Sequence, residues 1–435
     1  MKMIYLSPGA GKQYCGNCLR DNALAAELRR QGHDVVTVPL YLPPTLDGKE
    51  PLTSPADDNV PVFFGGVNVY LAQKLPGYKY VPSFVRRLLD SRLLLKQIDP
   101  PKTAGNSLTG ELTVSMLKGE HGYQKQELDE LCNFLKAEQP DVAVFSNALL
   151  LGMNNAVKKE TGAKTVCMLS GEDSFLDNLY EPFQSEAWKL VAEHLADVDI
   201  VTAPSRFYAN FMTERLRSAA EIVPPDIKIL PPGINTDGYN QNATVRFSGG
   251  TSAAAHIGFF ARMTYSKGLD TLIDAFVEVR RRRNFYPKLK IGGGYSKHDA
   301  PFLQQQNDKL GYEALETQAD VFPNLSREEK IRFLESLTLF SVPSRLNEPF
   351  GLFVLEAFAA GVPCLFPNRG AFPEIAEQSG ACVLFEPENP VDLADKIEKL
   401  LADEEKRKEM SANAQRIIRE KWSIENALAF TRLCV

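Results

Sequence analysis

A chain of 435 residues, 44% hydrophobic and 24% charged, is long enough for two domains with full cores and has the balance of a globular protein. Its net charge of −6 argues against a nucleic-acid partner. The start, MKMIYLSPG, has too short an apolar run for a signal peptide, no stretch approaches membrane-spanning length, and the seven scattered cysteines suggest free thiols. Together these point to a cytoplasmic protein.

The first predicted strand is Met3–Leu6, followed by a turn at Gly9 and Gly11 and a helix from about Gly16 to Gln31. Gly11-Lys12 looks like the end of a phosphate loop, but Leu6 stands where the first glycine belongs and Gln13 where a hydroxyl belongs. Cys15 and Cys18 form a C-x-x-C without a second ligand pair for zinc. A redox pair is the lesser reading. The plain one is a glycine turn, where backbone approaches a ligand and helix N–H groups attract anions.

Strands then follow at 34–39, 141–146, 164–169 and 198–205, with helices at 82–97 and 124–140 and loops at 43–61 and 98–111. Short apolar strands alternating with amphipathic helices predict a parallel, doubly wound α/β sheet. The small, Gly-rich segment 242–255 is the candidate linker. The pattern restarts with strands at 256–261, 288–293, 337–344 and 363–367 and a helix after Gly268. Ser326-x-x-Glu329 reads as a capping box, and 391–403 and segments on to Leu433 as helices. The expected domains are 1–241, 256–420, and a C-terminal helix in 421–435 returning to the first. In such sheets ligands bind beyond the carboxyl ends of the strands.

The segment RLNEPFGLFVLEAFAAGVP, residues 345–363, carries the most chemistry. A Pro-Phe-Gly turn after Glu348 leads into a helix over 351–360 that is apolar all round except for Glu356. That helix should be buried, and a buried carboxylate needs a partner, which a sugar's hydroxyls would supply. The alternative is that Glu356 reaches water from a helix edge. The N–H groups of Phe350, Gly351 and Leu352 would face a phosphate. In FFARMTYSKG, Arg262 and Lys267 flank a strand-to-helix loop where two cations suit a diphosphate.

Glu348-x7-Glu356, the Arg262/Lys267 loop, PPGIN (231–235), PSRF (204–207) and GHDV (32–35) together resemble the retaining glycosyltransferases of the GT-B fold, family GT4. The resemblance spans nearly the whole chain. It implies two Rossmann-like domains facing each other across a cleft, the C-terminal one binding a UDP-, GDP- or ADP-sugar and the N-terminal one the acceptor, a sugar, a lipid or a small molecule. It implies a hexosyltransferase in which Glu348 contacts the donor sugar, Glu356 the ribose, and Arg262 and Lys267 the diphosphate, with no metal and no cofactor. The loop Gly9-Ala10-Gly11 would line the cleft.

Two positions depart from the family. LSGEDSF (169–175) lacks the usual His, so Glu172 or Asp173 takes its place or the site is open. Asn235 replaces the usual Asp. Among the histidines, only His121 is a candidate to reach the cleft. The run Arg280–Arg283 ends a helix, where cations suit the dipole. Its second reading is peripheral contact with anionic lipid at the inner face of the membrane, should the acceptor be membrane-bound. The rivals are a nucleotide-sugar epimerase on the same fold and a sugar-nucleotide-binding protein without transfer activity.

Overall fold

The computed structural model describes residues 1–9, 16–41, 62–64, 69, 71–73, 107–240 and 255–435. These fall into two units, 1–231 with 427–435, and 232–426. The expected helix at 82–97, the loop at 43–61 and nearly all of the expected linker lie outside the described residues.

The N-terminal unit holds a six-stranded sheet. Its strands are β1 (Lys2–Ser7), β2 (Asp34–Pro39), β3 (Val142–Phe145), β4 (Lys164–Met168), β5 (Ile200–Ala203) and β6 (Ile227–Ile229), in the order β2-β1-β3-β4-β5-β6. Every neighbouring pair is parallel. Met3, Ile4, Tyr5 and Leu6 are all fully buried, as expected of a strand covered on both faces. On one side Ile4 and Leu6 join Leu131, Leu135 and Val191; on the other Met3 and Tyr5 join Leu24, Leu28, Phe430 and Cys434. The last helix, Leu428–Cys434, is thus part of this unit's core, and Lys164 Nζ donates to the Cys434 carbonyl at 3.1 Å.

The C-terminal unit repeats the plan with β7 (His256–Phe260), β8 (Lys288–Gly293), β9 (Ala319–Pro323), β10 (Leu339–Ser341), β11 (Cys364–Pro367) and β12 (Cys382–Phe385). The order β12-β11-β10-β7-β8-β9 is again all parallel. Helix Leu269–Arg282 buries Leu269, Leu272, Ile273, Phe276 and Val279, one stripe at helical spacing, and ends on three arginines. Helix Arg327–Glu335 starts at the predicted capping box, with Ser326 N–H donating to Glu329 Oε2 at 2.9 Å.

Three differences from the sequence reading have physical causes. The edge strands β6, β9 and β12 are not anticipated; β6 and β9 are largely exposed and lack the apolar run that marks a central strand. The loop expected to reach 111 gives way to helix Ser107–Leu117. Gly110 sits inside that helix because a Cβ there would meet the Phe183 ring at 2.7 Å. Finally, the units divide between Pro231 and Pro232, ahead of the expected limit at 241. Backbone pairing decides this: Ile234 N–H donates to the Trp422 carbonyl, and Ile424 N–H to the Ile234 carbonyl, each at 2.9 Å. Among the described residues no helix is long and apolar enough to cross a membrane.

Candidate functional site

In the C-terminal unit, β7 and β10 are neighbours although β8 and β9 separate them in sequence. That is the topological switch point, where the loops after two adjacent strands diverge and a ligand can sit. The loop after β7 carries Arg262 and Lys267, and the loop after β10 carries Glu348 and Phe350. The fold therefore brings to one place two segments that the sequence singles out separately.

The two loops are locked together. Arg345 N–H donates to the Ser266 carbonyl at 2.9 Å. Gly268 has φ +72°, and a Cβ there would stand 1.9 Å from the Pro343 carbonyl oxygen, so only glycine lets the backbones come this close. Arg345 grips Asp270 with both terminal nitrogens, at 2.8 and 2.9 Å, and its guanidinium lies 3.9 Å from the Tyr265 ring centroid.

Within this frame Lys267 Nζ forms an ion pair with Glu348 Oε1, and both side chains are largely buried. Ser344 Oγ donates to the same oxygen at 2.6 Å. Lys267 also faces the Phe353 ring at 5.8 Å. Arg262, by contrast, is exposed and pairs with no carboxylate among the described residues. The two cations are therefore not equivalent: one already neutralises a glutamate, the other is open.

Helix Leu352–Ala359 starts one residue later than expected and buries every position from Phe353 to Ala359, Glu356 included. Gly351 caps it at φ +91°, and Phe350 is buried edge-on to Trp422, with ring centroids 5.3 Å apart. Leu352 opens the helix and is half-buried.

The expectation that Glu356 depends on a ligand for its partner needs correction. Lys330 Nζ stands 2.8 Å from Glu356 Oε1, and both side chains are almost wholly buried. Lys330 comes from helix Arg327–Glu335, whose sequence REEKIRFLE reads as a solvated amphipathic helix and gives no sign of a buried cation. Asn235 belongs to this unit; its Oδ1 accepts from the Asp237 N–H at 2.8 Å, and Arg327 reaches its carbonyl at 3.3 Å.

In the N-terminal unit the switch point is between β1 and β3. Gly9 follows β1 with φ +72°, whereas Ala10, Gly11 and Cys15 lie outside the described residues. Cys18 is buried in helix Gly16–Arg30. Beside it Arg20 grips Asp21 Oδ1 at 2.6 and 2.8 Å, and the Tyr5 hydroxyl donates to the same oxygen at 3.1 Å. Asp21 holds the Arg20 guanidinium in its charged form against the cost of burial.

Glu172 and Asp173 sit after β4 and behave differently. Glu172 accepts the N–H groups of Ala148 and Ser170, each at 2.8 Å, and so ties the loops after β3 and β4 together. Asp173 opens the short helix Asp173–Leu176 and meets the Tyr208 hydroxyl at 2.7 Å. Burial raises its pKa, the charges of Glu172 and Asp177 add to this, and the Tyr208 hydrogen bond opposes it. Tyr208 itself escapes the sequence reading, although it directly follows PSRF and its N–H caps onto Ser205 Oγ at 3.1 Å.

Two lesser candidates find other surroundings. His121 is exposed in the turn Gly119–His121. Of the arginine run, Arg281 pairs with Glu313, Arg282 with Glu278, Asp395 and Glu398, and Arg280 reaches the Pro287 carbonyl. Among the described residues no three His, Cys, Asp or Glu side chains group as metal ligands.

Residues 245–417 match the family model described as glycosyl transferases group 1. An uncharacterized glycosyltransferase of Methanocaldococcus jannaschii is 31% identical over 169 residues, 39% of this chain and 41% of that one. The GDP-mannose-dependent alpha-(1-6)-phosphatidylinositol monomannoside mannosyltransferase of Mycobacterium tuberculosis is 25% identical over 235 residues, 52% and 58% of the two chains. The chain thus spans about half the length of the curated relatives it matches. Among solved structures, Anabaena HepE in complex with UDP and glucose has a TM-score of 0.65 at 16% identity over 99% of both chains. Sucrose-phosphate synthase from Thermosynechococcus elongatus has a TM-score of 0.67 at 14% identity, over 100% of this chain and 98% of that one. At such identities the likeness is one of fold, the two-domain α/β architecture of GT-B glycosyltransferases. Over residues 245–417 the chain is thus similar to the glycosyl transferases group 1, and its doubled parallel sheet has the architecture of the GT-B fold.

Proposed function

We propose that the protein transfers a sugar from a nucleotide-diphosphate sugar to an acceptor, with retention of anomeric configuration, as a GT4-type hexosyltransferase. The C-terminal unit holds the donor and the N-terminal unit the acceptor. One observation carries this reading: Lys267 and Glu348 meet at the β7/β10 switch point, where the loop after β7 that holds Lys267 also carries the exposed Arg262. When the bond from the sugar to the diphosphate breaks, negative charge builds on the departing oxygen. Arg262, Lys267 and the start of helix Leu352–Ala359 offset that charge without rearrangement. Glu348, with one oxygen held by Lys267 and Ser344, is oriented toward the donor sugar. Glu356 receives the nucleotide ribose. In the N-terminal unit Glu172 is a frame for its loops, which leaves Asp173 as the polar group offered to the acceptor side.

The reaction runs without a metal or an organic cofactor, in the cytoplasm. The donor is a UDP-, GDP- or ADP-sugar. The M. tuberculosis relative is described as GDP-mannose-dependent and HepE is in complex with UDP. The internal pairing of Arg281 and Arg282 weighs against a lipid-binding role for that run. Incubation with UDP-, GDP- and ADP-sugars should release free nucleoside diphosphate slowly even without acceptor, and EDTA should leave the rate unchanged. Return of an isomeric nucleotide sugar would assign an epimerase, and binding with neither product would assign a carrier.

A further inference from the structure

The buried pair of Lys330 and Glu356 is the feature that the family motif does not account for. Lys330 is 3% exposed, although Glu328 and Glu329, its neighbours on helix Arg327–Glu335, are exposed. Its long side chain runs inward to place Nζ 2.8 Å from Glu356 Oε1. The helix that carries it is pinned at its start, by the Ser326/Glu329 capping box and by Arg327, which donates to the Asp237 carbonyl at 2.7 Å.

Burying two charges for stability alone is a poor bargain, because a well-packed apolar pair of similar volume commonly does as well or better. Removing only the lysine is different. A carboxylate left in an apolar helix without its buried cation loses the contact that holds its direction.

We infer that Lys330 is a positioning residue for the nucleotide. By pairing with Glu356 it fixes that carboxylate in direction, so that the hydroxyls of the ribose donate to it. Discrimination between ribose and deoxyribose then depends on a lysine that does not itself touch the ligand. The inference rests on the reading that Glu356 receives the ribose.

The test uses the full chain and calorimetric titration with UDP, GDP and ADP, each against its 2′,3′-dideoxy counterpart, keeping the base that binds most tightly. The wild type should prefer the ribo form by about tenfold or more, the worth of hydrogen bonds to a charged group. Lys330→Met should bring that ratio close to one, while Lys330→Arg, which keeps the cation, should retain a clear preference. Glu356→Gln and the double variant Lys330→Met/Glu356→Gln should bind the ribo form alike, because the lysine acts only through the glutamate. The double variant has no buried charge left over, so it serves if Lys330→Met alone does not fold.

A wild-type preference that survives in Lys330→Met overturns the inference and leaves the ribose reading standing. A wild type with no ribo preference overturns both. A double variant that binds about tenfold more weakly than Glu356→Gln shows that Lys330 touches the nucleotide itself, which also overturns the inference.

Discussion

At the scale of residues, the buried carboxylates of the two units have different counterparts. Glu348 has Lys267 and Ser344, Glu356 has Lys330, and Asp173 has the phenol of Tyr208. Asp173 therefore makes a pH signature. Folding raises its pKa, so the folded state holds its proton more tightly than the unfolded chain does. Such a group favours folding at low pH and costs stability as the pH rises above about 4, where an unfolded aspartate ionises. Asp173→Asn removes the ionisation and keeps the shape. The unfolding midpoint of the variant should gain on the wild type between about pH 4 and pH 7. A gain that shrinks over that range would mean that folding lowers the pKa of Asp173. In the sequence the burial of Glu356 was readable, because its helix is apolar on every side. Its partner was not, because Lys330 stands among Arg327, Glu328 and Glu329, whose charges describe a helix in water. A single inward lysine leaves no trace in that pattern.

At the scale of elements, the site is a contact between two loops rather than a property of either. Gly268 is the tightest point of that contact. Gly268→Ala adds the strain of a side chain at positive φ, about 1 kcal/mol, and a clash with the Pro343 carbonyl that only separation of the loops relieves. Gly380→Ala, in the same unit at φ +63°, meets only the Asn413 amide at 3.1 Å and serves as the control. Urea unfolding should show a larger loss for Gly268→Ala than for Gly380→Ala, and nucleoside diphosphate affinity should fall about tenfold in the first alone. Equal losses with equal affinities would mean that the loops need not touch. Strands 34–39 and 288–293 were legible to the residue, because buried positions in both carry apolar side chains, Val35, Val36 and Val38 in the first and Leu289 and Ile291 in the second. The edge strands β6 and β9 face water and have no such buried positions. That Lys267 and Glu348 would meet was not visible in spacing; it follows from β10 inserting beside β7, which is topology.

At the scale of the whole molecule, one plan is used twice and the chain crosses between its two copies more than once. It leaves the first unit at Pro231, builds the second to residue 426, and returns to place Phe430 and Cys434 in the first unit's core. The repeat was readable in the alternation of strand and helix on either side of the Gly-rich stretch. The boundary was not, because it is set by the pairing of Ile234 with the backbone at Trp422 and Ile424 rather than by local composition. Two units need not unfold together, so no single stability describes this protein. A ligand held by one unit alone should protect that unit's amides selectively. The most direct test of the account is hydrogen exchange on the full chain with and without saturating UDP, GDP or ADP, for the wild type and for Arg262→Ala. Arg262 is the clean choice, because it is exposed and its loss strands no buried partner. The account predicts slowed exchange in residues 262–268 and 344–352 with at least one of the three nucleotides, and a nucleotide affinity about tenfold or more weaker in Arg262→Ala. Protection that appears elsewhere and leaves both loops unchanged, or equal affinity in the two proteins, would contradict the placement of the donor at the β7/β10 switch point.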